Sequence, residues 1–326
     1  HLENKHGFKV SVTNFGGRII SILAPDRWGN LRDVVLGYDS VEQYLHGNPY
    51  FGSIIGRFGN RIAQGKFSLD GRDYHLTINN RSNALHGGQA GFHNQFWKIK
   101  SLYKDGSSAL ELSYISKDGE EGYPGTLHVT VYYIVTDENE LIMEYQAVTD
   151  KTTVINLTHH SFFNLAGEGN GSIQDHTLMI NADSFTPVDP ELIPIGEIRN
   201  VEGTAFDFRQ PRRIGERIND WEDQLACGSG YDHNWVLNKE EDSLSMAAKV
   251  IEPESGRILE IWTTEPGLQF YAGNFLDGSD MGKAGKHYEY RSAFCLEPQH
   301  FPDSPNQKHF PSVVLNPGEQ YKQKTI

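Results

Sequence analysis

The sequence predicts an all-β protein made of two large antiparallel sheets packed face to face. Runs that alternate apolar and polar residues recur along the chain, with turn residues between them. Helical periodicity is scarce, and strands do not alternate with helices. No linker-like change of composition divides the 326 residues, so we expect one domain over residues 1–326.

Strand signals in the N-terminal part come in neighbouring pairs. Residues 8–13 alternate and lead through a Gly-Gly turn into residues 18–23. Residues 66–69 and 74–78 flank Asp70-Gly71, and Asp-Gly between two alternating runs is a strong hairpin signal. The N-terminal part therefore predicts consecutive antiparallel strands.

The rest of the chain continues the same pattern. The further strand signals are residues 127–136, 140–148, 249–251, 258–262 and 268–271. Only residues 41–45 and 213–221 carry short helical patterns. A curved sheet face surrounded by long loops would provide a concave binding site.

Charge and composition restrict the partners. The net charge of −14 makes nucleic acid an improbable partner and disfavours an anionic membrane surface. No apolar run reaches the 18 residues of a membrane span. We expect a small-molecule substrate, a monomer or homodimer, and a cytoplasmic location, with export after removal of a leader as the alternative. Cys227 and Cys295 form no disulfide framework, although one bridge between them stays open.

Glu297 is the most informative single residue. It lies in Cys-Leu-Glu-Pro-Gln-His-Phe, where a surface glutamate would rarely have such apolar and aromatic neighbours. Burial raises the pKa of a carboxylate and makes it a usable proton acceptor near neutral pH. A buried glutamate paired with an arginine is the structural alternative.

His160 is a second polar group set in an apolar segment, Asn-Leu-Thr-His-His-Ser-Phe-Phe-Asn-Leu. In an extended strand His159 and His160 point to opposite faces, so only one reaches a given pocket. Spacing alone does not decide which one does. One buried glutamate and one buried histidine far apart in sequence indicate a proton-transfer enzyme with a separate acid and base.

Four further motifs supply polar groups bounded by glycines or aromatics. Asn60 and Arg61 follow Gly56-Arg57-Phe58-Gly59 and offer fixed donors for hydroxyls or carboxylates. His86 precedes two glycines, and Asp232 lies in Tyr-Asp-His-Asn. Gln269 is a polar group on an aromatic strand. Each also fits a structural role, but binding sites on sheets draw on several strands and loops in this way.

Taken together, these motifs resemble those of the aldose 1-epimerase family, the galactose mutarotases. The resemblance runs over nearly the whole chain and is specific because the motifs occur together. They are Gly59-Asn60-Arg61, Leu85-His86-Gly87-Gly88, Thr158-His159-His160-Ser161-Phe162-Phe163-Asn164-Leu165, Tyr231-Asp232-His233-Asn234, Gln269-Phe270-Tyr271 and Leu296-Glu297-Pro298-Gln299.

The resemblance implies a large antiparallel β-sandwich of the galactose mutarotase type that interconverts the α and β anomers of free aldoses. It implies Glu297 as the general base, His160 as the general acid and His86 as a second histidine that polarises and positions the substrate. The sugar-binding positions of the family are matched by Asn60, Arg61, Asp232 and Gln269. The resemblance implies no metal ligand. One departure is visible: the family commonly has Asn where this chain has His159, and the following Ser-Phe-Phe-Asn-Leu aligns His160 with the catalytic position.

The implied chemistry needs one base and one acid and no cofactor, because ring opening involves neither redox change nor group transfer. The anomeric hydroxyl loses its proton to Glu297, and His160 protonates the ring oxygen. Ordinary pKa values of about 4.3 for Glu and 6.5 for His suit these roles without large shifts.

Two other functions remain open from the residues. The first is a metal-dependent β-sandwich enzyme with His86, His160, His233 and Glu297 as ligands, although no two of them have a tight metal-site spacing. The second is a sugar-binding module without catalysis, or a glycosidase in which Asp232 is the second carboxylate.

Overall fold

The computed structural model describes residues 1–326 and confirms the all-β prediction. We number its strands in chain order: β1 Leu2–Glu3, β2 Lys9–Val12, β3 Ile19–Pro25, β4 Leu31–Asp33, β5 Ser53–Ile55, β6 Arg61–Ile62, β7 Lys66–Leu69, β8 Arg72–His75, β9 Ala84–Leu85, β10 Lys98–Lys104, β11 Ser107–Ser116, β12 Leu127–Val135, β13 Leu141–Thr149, β14 Thr153–Val154, β15 Thr158–His160, β16 Thr177–Ile180, β17 Ser184–Thr186, β18 Arg199–Asn200, β19 Arg212–Arg213, β20 Asp232–Val236, β21 Ser245–Ile251, β22 Ile258–Thr263, β23 Gly267–Tyr271, β24 Cys295–Gln299, β25 Val314–Leu315 and β26 Tyr321–Thr325.

Helical structure is limited to short segments. The two α-helices are α1 Val41–His46 and α2 Asp223–Gly228. Single 3-10 turns occur at Ala63–Gly65, Phe92–Asn94, Glu120–Gly122, Ile214–Glu216, Lys283–Gly285 and Ser304–Asn306. Neither α-helix is long and apolar enough to cross a membrane.

Two sheets dominate the architecture. The larger has nine strands in the order β10-β11-β12-β13-β26-β22-β21-β16-β19, and the second has five in the order β18-β17-β20-β23-β24. A four-stranded sheet, β1-β2-β3-β4, and four two-stranded sheets complete the fold. The long strand pairs are antiparallel, as the turn-linked alternating runs predict.

One apolar core joins these sheets. A cluster of 47 buried hydrophobic residues extends from Leu2 to Leu315 and draws on the three larger sheets. Tyr133 of β12 and Trp235 of β20 are both fully buried members of it. Removal of this apolar surface from water is the main force that stabilises the fold. Because one core extends along the whole chain, we propose that residues 1–326 form a single domain.

Strict alternation in the five-stranded sheet determines where the polar residues point. Phe270 and Leu296 belong to the core, so their neighbours Gln269 and Glu297 point to the other face. Asp232, at the start of β20, shares that second face. The sheet thus has one apolar face and one face that carries buried polar side chains.

The predicted hairpin at Asp70-Gly71 is present. Strands β7 and β8 pair directly across these two residues, which have φ values of 51° and 74°. Positive φ at both central residues is the geometry that makes Asp-Gly a favoured hairpin turn. The predicted helix at residues 41–45 is also present as α1, capped by Ser40.

The predicted helix over residues 213–221 is wrong. Only Ile214–Glu216 form a single 3-10 turn there. The backbone amides of Ile214 and Gly215 donate to the carbonyls of His176 and Gln174. Arg217 then has φ −129° and ψ 2°, which is not helical, so the segment ends after one turn.

An ion pair between His300 and Glu265 links the residue after β24 to the segment before β23. His300 Nδ1 lies 2.7 Å from Glu265 Oε2, and the Glu265 side chain is 1% exposed. Burial by itself would lower the pKa of His300, but the Glu265 carboxylate raises it above its usual value. Because the folded pKa exceeds the unfolded one, this contribution to stability is complete below about pH 6.5 and decreases as the pH rises through the folded pKa.

Replacing His300 with alanine leaves the Glu265 carboxylate buried without its partner. We expect the free energy of unfolding to fall by about 3–5 kcal/mol at pH 6, with a smaller loss at pH 9. Urea denaturation at both pH values measures the difference. His128→Ala, an exposed histidine on β12, is the control and should change stability by less than about 0.5 kcal/mol. Equal losses at the two pH values would contradict the ion-pair explanation.

Candidate active site

A cavity of about 350 Å³ opens on the polar face of the five-stranded sheet. Sixteen residues line it, and they include six of the seven predicted site residues. Those six are Asn60, Arg61, His86, His160, Asp232 and Glu297. Five segments distant in sequence therefore converge on one concave site.

Glu297 and His160 lie next to each other in this cavity. Glu297 comes from the middle of β24, and His160 ends β15. The distance between Glu297 Oε1 and His160 Nε2 is 3.6 Å, and both side chains are almost completely buried. His159 points the other way and lines a separate small cavity of about 40 Å³, where its Nδ1 contacts Ser161 Oγ.

Aromatic rings and a thiol hold the His160 ring in place. Tyr50 and Phe162 stack on it with ring centroids 5.6 and 4.9 Å away. Cys295 Sγ lies 3.4 Å from His160 Nδ1. With Nδ1 occupied by the thiol, the Nε2 atom is the one directed to Glu297 and to the cavity.

His86 is held by a reciprocal contact with Asn60. The backbone N–H of Asn60 donates to the ring atom His86 Nδ1 (3.1 Å), and the backbone N–H of His86 donates to the backbone carbonyl of Asn60 (3.1 Å). Burial lowers the pKa of His86 well below its usual value, with smaller effects from His160 and Arg61. The neutral ring must then carry its proton on Nε2, so it is a hydrogen-bond donor to a ligand.

The turn after His86 depends on glycine. Gly87 has φ +81°, and a Cβ there would lie 1.9 Å from the Gly56 carbonyl oxygen. Only glycine lets these two loop segments approach so closely. This contact explains the Gly-Gly that follows His86 in the sequence.

Arg61, Asp232 and Gln269 form a second polar group beside the cavity. Arg61 Nη1 lies 3.9 Å from Asp232 Oδ2, and Gln269 Nε2 donates to Asp232 Oδ1 (2.7 Å). Arg61 Nε also donates to Asn80 Oδ1 (3.2 Å). Gln269 does not line the cavity; it lies behind Asp232, and a direct contact of Gln269 with sugar stays a prediction.

Burial shifts Glu297 and His160 toward their uncharged forms. Desolvation raises the pKa of Glu297 well above its usual value, Asp232 raises it further, and Arg61 opposes both. Desolvation lowers the pKa of His160 to about 3. The expectation that ordinary pKa values would suffice is therefore wrong, because both groups lie far from bulk water.

The cavity also contains residues that the motifs did not single out. Phe162 and Tyr271 stand inside quoted motifs, but no role was predicted for them. No sequence motif pointed to Tyr50, which is an aromatic residue between turn residues. Its contact with His160 depends on tertiary packing. The other unpredicted lining residues are Asn48, Asn80, Arg81, Leu85, Glu191, Leu192 and Phe275.

The four-residue metal set of the alternative hypothesis is not brought together. One donor atom each from His86, His160 and Glu297 lie within 4.8 Å of one another. His233 instead packs edge-on against Phe206 in the core, and its Nδ1 accepts a hydrogen bond from the Asp232 N–H. The fourth predicted ligand thus faces away from the cavity.

The site thus brings a carboxyl and an imidazole together among hydrogen-bond donors in one cavity, an arrangement suited to proton transfer. The family model for aldose 1-epimerase matches residues 1–326. The chain belongs to the aldose 1-epimerase family, whose members are isomerases.

Relatives and solved structures agree on this family. The chain is 48% identical over 317 residues to galactose mutarotase from Bos taurus, which covers 97% of this chain and 90% of that protein. It is 36% identical over 326 residues to aldose 1-epimerase from Escherichia coli, with 99% and 92% covered. The crystal structure of a GalM/aldose epimerase homologue from C. elegans is similar with a TM-score of 0.90 and 33% identity, covering 99% of this chain and 96% of the other. Galactose 1-epimerase from Lactobacillus acidophilus has a TM-score of 0.86 and 28% identity, with 99% and 91% covered.

Proposed function

We propose that this protein is a mutarotase that interconverts the α and β anomers of free aldoses such as galactose and glucose. Glu297 is the general base on the C1 hydroxyl, and His160 is the general acid on the ring oxygen. The observation that carries the proposal is the 3.6 Å separation of Glu297 Oε1 and His160 Nε2 at one cavity wall. Membership of the aldose 1-epimerase family supports it.

In the proposed reaction Glu297 removes the proton from the anomeric hydroxyl while His160 donates a proton to the ring oxygen. The C1–O5 bond breaks, and the open aldehyde forms. Rotation about C1–C2 presents the other face of the carbonyl. The two residues then exchange roles: His160 takes back the proton from the C5 hydroxyl, and Glu297 returns one to the new anomeric oxygen.

The pKa directions fit this cycle. Ring opening converts an ionised Glu297 and a protonated His160 into a neutral pair, so two buried charges disappear together. Charges on side chains as buried as these cost several kcal/mol each, and that cost favours the proton transfers that open the ring. Arg61 and the Nε2–H of His86 are positioned to stabilise negative charge that develops on the sugar oxygens.

The remaining polar residues fit the recognition of sugar hydroxyls. We propose that Asn60, Arg61 and Asp232 bind hydroxyls directly, as fixed donors and one acceptor with little freedom to move. Aromatic side chains such as Phe162 and Tyr271 provide apolar surface for the C–H groups of a sugar ring. No cofactor enters this scheme, and the predicted cytoplasmic location and monomer or homodimer stay predictions.

Polarimetry on freshly dissolved α-galactose and α-glucose tests the function. We expect the purified protein to speed the approach to the equilibrium rotation in proportion to its concentration.

Binding of galactose without any rate enhancement would support the sugar-binding module instead. Full activity after chelator treatment is expected, and loss of activity that added metal restores would support the metal-dependent alternative. Cleavage of an aryl galactoside would support the glycosidase alternative.

A further inference from the structure

Three neighbouring strands place buried polar side chains side by side beneath the cavity. Asn234 of β20 lies directly opposite Gln269 of β23, and Gln269 lies directly opposite Glu297 of β24. Directly opposed residues in an antiparallel pair have Cβ atoms about 4.5–5.5 Å apart. Gln269 therefore lies between Glu297 on the edge strand β24 and Asn234 on the central strand β20, and its amide also donates to Asp232.

This row has more hydrogen-bond acceptors than donors. Glu297 Oε2, Gln269 Oε1, Asn234 Oδ1 and Gln299 Oε1 are all buried without a hydrogen-bond partner. The one unpaired donor atom on these side chains is Gln299 Nε2. Buried acceptors without partners are destabilising, so a proton added to this row would be stabilised.

Turning the Gln269 amide over does not remove the shortage. In the observed orientation its nitrogen donates to Asp232 Oδ1, and its oxygen is unpaired. In the reverse orientation Gln269 Nε2 would donate to Glu297, but Gln269 Oε1 would face the Asp232 carboxylate. One of the two carboxyl groups therefore lacks an amide donor in either orientation, unless that group is protonated or receives a hydrogen bond from a ligand.

The charged and titratable groups around Glu297 come from every neighbouring element. They are His160 at the end of β15, Asp232 on β20, Arg61 on β6, Tyr271 on β23, Cys295 on β24 and His86 after β9. Burial and the Asp232 carboxylate raise the pKa of Glu297, and only Arg61 lowers it. The surroundings thus favour the protonated carboxyl until a ligand changes them.

We propose that Gln269 is a positioning residue that couples sugar binding at Asp232 to the ionisation of Glu297. Without sugar, Gln269 Nε2 serves Asp232, and Glu297 keeps its proton on Oε2 next to Gln269 Oε1. A sugar hydroxyl that donates to Asp232 frees the amide to turn, and Nε2 then stabilises the Glu297 carboxylate. The carboxyl then turns so that its protonated oxygen takes the place of Oε1, 3.6 Å from His160 Nε2, and the proton passes to that nitrogen. One transfer thus creates both the base and the acid. This inference rests on the proposed function.

Infrared difference spectroscopy tests the inference without turnover. We expect a carbonyl band of a protonated carboxylic acid at pH 7 in the sugar-free wild-type protein that is missing in Glu297→Gln. Saturation with 1,5-anhydrogalactitol, a galactose analogue without an anomeric hydroxyl, should weaken that band. If Glu297→Gln removes no such band, or if the analogue leaves it unchanged, the inference is wrong.

Gln269→Met tests the residue itself. We expect the acid band to move to higher wavenumber, because the carboxylic acid loses its acceptor, and to stop responding to the analogue. We also expect kcat to fall about 10- to 100-fold with a smaller change in KM, since one hydrogen bond to a charged group is lost. A higher KM with unchanged kcat and an unmoved band would mean that Gln269 only binds sugar.

Gln299→Met is the matched control, because Gln299 is equally buried on the same face but lies opposite Gly267. It should leave the acid band and its response as in the wild type; a shift in this variant alone would overturn the assignment to Gln269. The wild-type and Glu297→Gln spectra test the protonation even where Gln269→Met does not fold. An active enzyme without the band refutes this inference alone, whereas an inactive protein with the band refutes the proposed function alone.

Discussion

Replacing Glu297 with glutamine is expected to lower the rate of anomer interconversion by about 10²- to 10⁴-fold while galactose still binds. Glutamine keeps the size and hydrogen-bonding shape of the side chain but cannot accept a proton from the anomeric hydroxyl. Asp232, the neighbouring carboxylate, is already engaged by Gln269 and Arg61. We therefore expect a large loss in kcat with KM or the galactose dissociation constant little changed.

Polarimetry gives the rate, and isothermal titration with galactose gives the affinity. Glu265→Gln is the matched control, because Glu265 is as buried as Glu297 but contacts His300 outside the cavity. It should keep the wild-type rate wherever circular dichroism shows it folded. Wild-type activity in Glu297→Gln would disprove the proposed base, and equal losses in both variants would point to a structural effect.

Much of the architecture could be predicted because it depends on local pattern. The alternation that predicts a strand at residues 268–271 also separates Phe270, which faces the core, from Gln269, which faces away from it. The hairpin at Asp70-Gly71 depends on two consecutive residues that tolerate positive φ. By contrast, the false helix at residues 213–221 shows that weak periodicity alone does not predict a helix, since the backbone leaves the helical region at Arg217.

The sequence predicts several residues of the site but not the contacts between them. Motif resemblance identified residues such as Glu297 and Asp232, which do line the cavity. It could not reveal that Gln269 lies behind Asp232, or that Tyr50 stacks on His160, because these contacts join distant segments. The raised pKa of Glu297 was predicted from its apolar neighbours, but the lowered pKa of His160 was missed, since desolvation depends on the surrounding packing.

Replacing His160 with glutamine is expected to lower kcat by about 10²- to 10⁴-fold, because the ring oxygen loses its proton donor. Glutamine fills much of the space between Tyr50 and Phe162 and can still donate a hydrogen bond, so sugar affinity should change little. The measurements are again polarimetry and galactose titration.

His159→Asn is the informative control for His160, because the two histidines are adjacent on β15 and differ mainly in the face they occupy. His159 contacts Ser161 and lines the small cavity away from Glu297, so its replacement should leave kcat within about twofold of wild type. Asparagine is also the residue that the family commonly has at this position. An inactive His159→Asn together with an active His160→Gln would contradict the assignment of His160 as the general acid. The contact between His160 and Glu297 would then have no role in catalysis. Loss confined to His160→Gln would instead tie the activity to the one imidazole that faces the carboxyl.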